Sequence, residues 1–165
     1  MFDRFGEFGS AAEINETAAN LRREGDLESL EVLARENGLY DQEIMDAFLD
    51  GALLYLCDEM SAAIGKIEAE AKEAKCAEIM EDWAEYIKAQ CMEDPEVARA
   101  VREKGKSLAG CIAELLKWSF KNQVPVGKEI MKAAGVSAGR CTLGIPGMAR
   151  AKQIIKKYYL GRQGA

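Results

Sequence analysis

The sequence predicts an all-α protein, a helical bundle of seven to eight helices, and three observations carry that expectation. Only three of 165 residues are proline and 7% are aromatic, while Ala, Leu, Glu and Lys are plentiful, a composition that favours helix. Apolar residues recur at three- and four-residue spacing along most of the chain, which is the helical period. The breaks carry helix punctuation: Ser10, Asp26, Asp41 and Asp94-Pro95 at starts, Gly25, Asn37-Gly38 and Gly105 at stops. The length fits one domain or two small lobes sharing a core, and 48% apolar residues can build that core.

Phe2, Phe5 and Phe8 stand at spacing three; they read as one helical turn docking on the core, or as an aromatic hook for a partner. Ser10-Ala-Ala-Glu13 is a capping box, with Ser10 receiving the backbone N–H of residue 13 and Glu13 returning to Ser10. That helix runs to about Glu24 with Ile14, Ala18 and Leu21 inward. Asp26 caps a second helix with Leu27, Leu30 and Leu33 on one side, and the two form a helical hairpin. Asp41 starts a third, strongly apolar from Ile44 to Ile67, with Gly51 and Gly65 as bends and Asp46, Asp50 and Asp58 as surface charge. Residues 66–75, KIEAEAKEAK, are charged and low in complexity; they continue the helix or form a helical linker. The softest boundary falls here, between an acidic N-terminal helical lobe, 1–75, and a C-terminal helical bundle, 76–165, on which it packs. Cys76–Met92 is amphipathic, with Ile79, Met80, Trp83, Ile87 and Cys91 opposite Glu78, Glu81, Asp82 and Glu85. Asp94-Pro95 restarts a short helix that ends at Lys104-Gly105.

Gly105-Lys106-Ser107 imitates the end of a phosphate-binding loop, but the motif's first glycine would fall on Ala100 and no strand precedes it. Ser107 is therefore read as an N-cap. In Ser107–Lys121, Leu108, Cys111, Ile112, Leu115, Leu116, Trp118 and Phe120 cover more than half the circumference, leaving a polar strip of Glu114, Lys117 and Lys121. Such a helix belongs at the hub of a bundle. Residues 127–134 form a short helix with Ile130 and Ala134 inward. The fragment KEIMKAAGVS resembles the first helix and turn of a helix-turn-helix protein, with Gly135 in the turn and Ser137 capping a recognition helix. Against that, Met131 stands where a small residue is usual, and Gly139, Gly144 and Pro146 interrupt the second helix. The last helix, Pro146–Leu160, has Met148, Ala151, Ile154, Ile155, Tyr158 and Tyr159 on one face and Arg150, Lys152, Lys156 and Lys157 on the other. Gly161–Ala165 is expected to fray.

The net charge of −6 hides a segregated layout: residues 1–99 carry 25 acidic and 9 basic side chains, residues 100–165 carry 3 and 13. The candidate contacts for nucleic acid or an anionic partner are Lys117, Lys121, Lys128, Lys132, Arg140, Arg150, Lys152, Lys156 and Lys157. Lys152 and Lys156 are like charges at i,i+4, an arrangement that an anion would relieve. The chain has no histidine, which removes the commonest general base and metal ligand. Its five cysteines, at 57, 76, 91, 111 and 141, are odd in number and form no CxxC pair, so free buried thiols in a reducing compartment are expected. The carboxylates show no motif spacing. The expectation is a protein without catalytic residues, metal or cofactor. The N-terminus lacks the apolar segment of a signal peptide, and the longest apolar run, Ala52–Cys57, is too short to span a membrane. A soluble, cytoplasmic protein is expected.

From about Ile79 to Tyr159 the chain resembles the PcfK-like proteins, small accessory proteins of conjugative plasmids and integrated elements. The residues that carry the likeness are Gly105-Lys-Ser-Leu-Ala-Gly-Cys-Ile112, the helix that follows, a short helix, and a terminal helix ending in Tyr158-Tyr159. Lys157 stands where the family has histidine. The resemblance implies a mobile-element protein in the host cytoplasm, and some members are associated with inhibition of CRISPR nucleases. Two functional readings follow. One is a non-enzymatic inhibitor that binds a large nucleoprotein, a CRISPR effector or its nucleic acid. The other is a DNA-binding accessory or regulatory protein of conjugative transfer. The opposite charges of the two halves also allow a homo-oligomer.

Overall fold

Four helix starts that the sequence marks, at Ser10, Asp26, Asp41 and Asp94, are built as hydrogen bonds. In the computed structural model, which describes residues 2–161, the Ser10 hydroxyl accepts from the Glu13 amide at 3.2 Å and the Asp26 carboxylate from Ser29 at 3.0 Å. Asp41 receives the amides of Glu43 and Ile44 at 2.9 and 3.1 Å, and Asp94 that of Glu96 at 2.8 Å, ahead of Pro95. Each such cap satisfies donors that the helix itself leaves open. The helices are α1 (Ala11–Glu24), α2 (Leu27–Glu36), α3 (Gln42–Leu49), α4 (Glu59–Glu73), α5 (Ile79–Glu93), α6 (Pro95–Arg102), α7 (Leu108–Lys121), α8 (Lys128–Ala133) and α9 (Met148–Leu160). Strands β1 (Val124–Pro125) and β2 (Thr142–Leu143) pair antiparallel. The protein is mostly helical, as predicted.

Nine helices, counted among the described residues, replace the predicted seven to eight because the apolar stretch from Ile44 to Ile67 is not one helix. It stops at Leu49; Gly51 turns with φ +80°, and α4 restarts at Glu59 under the cap of Asp58, whose carboxylate accepts from Ser61 at 2.7 Å. The intervening loop is fixed by Asn15 of α1. Its Oδ1 accepts from the amides of Leu56 (2.9 Å) and Cys57 (3.1 Å), and its Nδ2 donates to the Cys57 carbonyl at 2.8 Å. Gly65 is not a bend. A Cβ there would overlap the Asn37 carbonyl and lie 2.9 Å from that of Gly38, so α4 crosses the end of α2 backbone to backbone. Only glycine permits that approach.

The chain divides into two compact units at Ala109–Gly110. The boundary expected near residue 75 is a turn within the first unit, where α4 packs on both α5 and α6. Within this unit Ile14, Ala18, Leu30, Leu33, Phe48 and Ala62 form a buried cluster, while Leu27, expected inward, is 54% exposed. Residues 3–5 form a turn, not a helix, and 6–8 are irregular. They form a strap whose Phe5 and Phe8 pack on the core and whose amides at Asp3, Arg4 and Phe5 all donate to the Glu36 carboxylate. Glu13 returns to the Gly9 amide, 3.0 Å away, rather than to Ser10.

A buried polar network locks these pieces together. Lys66 on α4, wholly buried, donates to Glu7 at 2.6 Å and to the Lys106 carbonyl at 2.7 Å, with Glu70 at 3.9 Å. Glu70 accepts the first amide of α7, Leu108, at 2.6 Å. Arg102, also buried, donates to the Phe8 carbonyl at 2.8 Å and to Asn37 Oδ1 at 3.1 Å.

In the second unit, α7 buries Cys111 and Leu115, but Leu116 is 54% and Phe120 75% exposed. This helix is therefore two-faced rather than an enclosed hub. Residues 162–165, part of the expected frayed tail, lie outside the described residues.

The network gives stability a defined response to acid. Burial raises the Glu7 carboxyl, but the Lys66 hydrogen bond and charge, then the Gly105 amide, outweigh it and leave Glu7 below its ordinary 4.5. Its contribution is present above that value and is lost as pH falls through the folded-state pKa. Glu70 moves the opposite way, pushed up first by burial, so its ionisation works against folding as pH rises. Glu7→Gln should lower the urea midpoint at pH 7, and the difference from wild type should shrink as pH falls below the ordinary 4.5 and vanish once pH has passed the folded-state pKa.

Candidate functional site

Residues 110–165 hold ten basic side chains and two acidic ones, a net of +8, against −14 for residues 1–109. The basic residues are displayed by three pieces of the second unit. On α7, Glu114, Lys117, Trp118 and Lys121 recur at spacings of three and four, which places them on one face. On α9, Ile154, Lys157 and Tyr158 do the same. These two faces line one groove of about 370 Å³, with Lys117, Lys121 and Lys157 beside Trp118, Ile154 and Tyr158.

Glu114 lies among the three lysines. It pairs with Lys117 at 2.6 Å. The hydrogen bond and charge of Lys117 hold its carboxyl below the ordinary value, with smaller contributions from Lys121 and Lys157. The Tyr158 ring meets that of Tyr159 edge-on, centroids 4.9 Å apart. Ala151, Ile155 and Tyr159 are the buried stripe of α9, whereas Ile154 and Tyr158 are half-buried and Met148 is exposed. The apolar face expected from the sequence thus splits into a buried stripe and a groove wall.

The third piece is an arm. Val124 pairs with Leu143 and Pro125 with Thr142, and the Val126 amide donates to Cys141 at 2.9 Å. The six residues of α8 are carried between these strands with none buried, and Ile130 is 64% exposed where an inward position was expected. Gln123 ties the arm to α7, donating to the Ser119 carbonyl at 2.7 Å and accepting from Thr142 at 2.8 Å. A Cβ on Gly144 would lie 2.6 Å from that same carbonyl. The helix-turn-helix likeness fails here. Gly135 does turn, at φ +67°, but the following chain pairs as β2 instead of forming a recognition helix. Gly139, Gly144 and Pro146 are the physical reason, since glycine and proline disfavour helix, and Gly144 also permits the close contact with Ser119.

The structure brings Lys117, Lys121 and Lys157 together in the groove. It displays Lys128, Lys132 and Arg140 on the arm, and Arg150, Lys152 and Lys156 on the outer side of α9, all exposed. Lys121, Lys128, Lys132, Arg140, Lys156 and Lys157 make no salt bridge among the described residues. Sequence reasoning missed Glu114, Trp118, Ile154 and Tyr158 as parts of a site, although their shared helical phase with the lysines was readable.

Elsewhere the ionisable groups serve structure. Asp58 and Asp41 are caps, and no three His, Cys, Asp or Glu side chains among the described residues are arranged to hold a metal ion. Burial pushes the thiols of Cys57, Cys91 and Cys111 up to about 12. No helix among the described residues is long and apolar enough to cross a membrane. Compared with known proteins, the chain matches no family model, no curated protein and no solved structure.

The thiols give a direct check on this arrangement. Cys76 and Cys141 are half-buried, the other three buried. A chromogenic disulfide reagent should label two of the five thiols quickly in the native protein and all five in denaturant.

Proposed function

We propose that the chain acts by binding nucleic acid through its basic unit, as an accessory protein of a mobile element working in the cytoplasm. The observation that carries this reading is the set of six exposed cations, Lys121, Lys128, Lys132, Arg140, Lys156 and Lys157, none of which makes a salt bridge among the described residues. They are spread over α7, the arm and α9, which suits a ligand carrying charge at regular intervals better than a single small anion. The resemblance of residues 79–159 to PcfK-like proteins supports a role in element transfer or its regulation. Binding should weaken steeply with salt, the log–log slope being about −0.7 to −0.9 for each phosphate contacted. Lys152→Glu with Lys156→Glu should lower affinity at least about tenfold and flatten that slope by roughly two contacts, with the helical circular-dichroism signal unchanged. A retardation assay showing no shift with duplex or single-stranded DNA at low salt would end the reading.

The acidic first unit favours a second reading, an inhibitor of a CRISPR effector. A net charge of −14 on residues 1–109 suits occupation of the basic channel in which such a nucleoprotein holds its nucleic acid. Its check is nuclease cleavage with the protein in molar excess. Unchanged cleavage across several effector types would exclude it.

A further inference from the structure

The groove between α7 and α9 combines two features that a phosphate patch alone does not need. Its rim carries Lys117, Lys121 and Lys157, and its walls carry the indole of Trp118, the phenol of Tyr158 and the side chain of Ile154. Cations follow a sugar–phosphate backbone, but aromatic faces gain nothing from it. In a duplex the bases offer only their edges, within the grooves, whereas unpaired bases offer a face, and stacking on aromatic side chains is how sequence-tolerant single-strand binders hold them.

The position of Glu114 adds a constraint. Its carboxylate holds Lys117 at 2.6 Å in the same groove. The carboxylate therefore stands where one phosphate oxygen would compete for the same ammonium. It offsets part of the positive charge while the groove is empty of ligand, and it must release Lys117 when a phosphate arrives.

We propose that this groove is a single-strand-specific nucleic-acid site, in which Trp118 and Tyr158 stack unpaired bases, Lys117, Lys121 and Lys157 hold the flanking phosphates, and Glu114 is an internal competitor that weakens binding. The proposal rests on the nucleic-acid reading above and adds to it the ligand's class and the residue that limits affinity.

The test uses the full chain and an oligothymidylate, with a duplex of mixed sequence and a polyglutamate peptide as comparison arms. The chain has two tryptophans. Trp83 is buried and its Nε1 makes no hydrogen bond, so Trp83→Phe removes the second emitter without breaking a polar contact. In that background the emission of Trp118 should fall on adding the oligothymidylate and stay unchanged with the duplex or the peptide. Glu114→Gln should tighten oligothymidylate binding about two- to fivefold, and Trp118→Leu should weaken it about tenfold. If Trp83→Phe does not fold, anisotropy of a labelled oligothymidylate against wild type, Glu114→Gln and Trp118→Leu reads the same three affinities. Equal affinity for single strand and duplex, with no effect of Trp118→Leu, overturns the groove assignment and leaves general nucleic-acid binding standing. Quenching by polyglutamate but not by the oligothymidylate overturns it in favour of an acidic protein partner. Absence of binding to either nucleic acid removes both readings together.

Discussion

An ammonium group without access to water sets the terms for the first unit. Moving a charge the size of Lys66 out of solvent costs several kcal/mol even after the protein relaxes, and only close partners offset that cost. Glu7 at 2.6 Å and the Lys106 carbonyl at 2.7 Å supply them from opposite ends of this unit's sequence. The ion pair therefore forms only when the N-terminal strap and the α6–α7 turn have both reached α4. Arg102 imposes a similar condition, since its guanidinium donates to Phe8 on the strap and to Asn37 at the end of α2. Hydrophobic burial brings these helices together without dictating their register. The polar network does dictate it, because a shift of one residue along α4 would leave Lys66 buried and unpaired.

Gly65 and Gly38 are the steric counterpart of that network. Their backbones touch at the residue next to Lys66, and a methyl group on either would overlap a carbonyl. Arg102 bonds Asn37 where Gly38 meets Gly65, so hydrogen bonding and close approach act together at the end of α2. The glycines permit the close contact, and buried Lys66 keeps its partners Glu7 and the Lys106 carbonyl in the same register. Together they leave one arrangement.

What the sequence could disclose follows from range. Ser10, Asp26, Asp41 and Asp94 act on amides two or three residues away, so their roles were readable from a short window. Gly65 defeated that window, because a bend and a close helix contact both call for glycine and differ only in what lies across the gap. Asp58 was read as surface charge because the apolar period continues past it; the break depends on Asn15, some forty residues away. The basic candidates were found because exposure of lysine is a safe expectation, but their grouping was not. Helical phase placed Glu114, Lys117, Trp118 and Lys121 on one face of α7, and only the packing of α9 shows what that face meets in the second unit. The same helix was overrated as a hub, since counting apolar residues around a wheel cannot tell buried Leu115 from exposed Leu116 and Phe120. The helix-turn-helix likeness failed for the converse reason. Its local signals at Gly135 were sound, but β pairing from Val124 to Leu143 outcompetes a helix interrupted by Gly139 and Gly144.

Segregation of charge along the chain has a consequence for any polyanion that approaches. Beyond a Debye length of about 8 Å at physiological salt, exposed charges are largely screened, and the net charge that remains to act weakly is −6. A polyanion is therefore not drawn in from a distance as it would be by a uniformly basic domain. Within that length it meets either residues 1–109 at −14 or residues 110–165 at +8, and only the second is attractive. Association then depends on orientation, which slows random encounters and penalises non-specific coating more than it penalises a ligand that also gains short-range contacts. In the proposed site, aromatic walls beside lysines would supply such contacts, since stacking is not screened by salt. In a protein of this charge layout, the short-range term has to carry discrimination that the long-range field cannot.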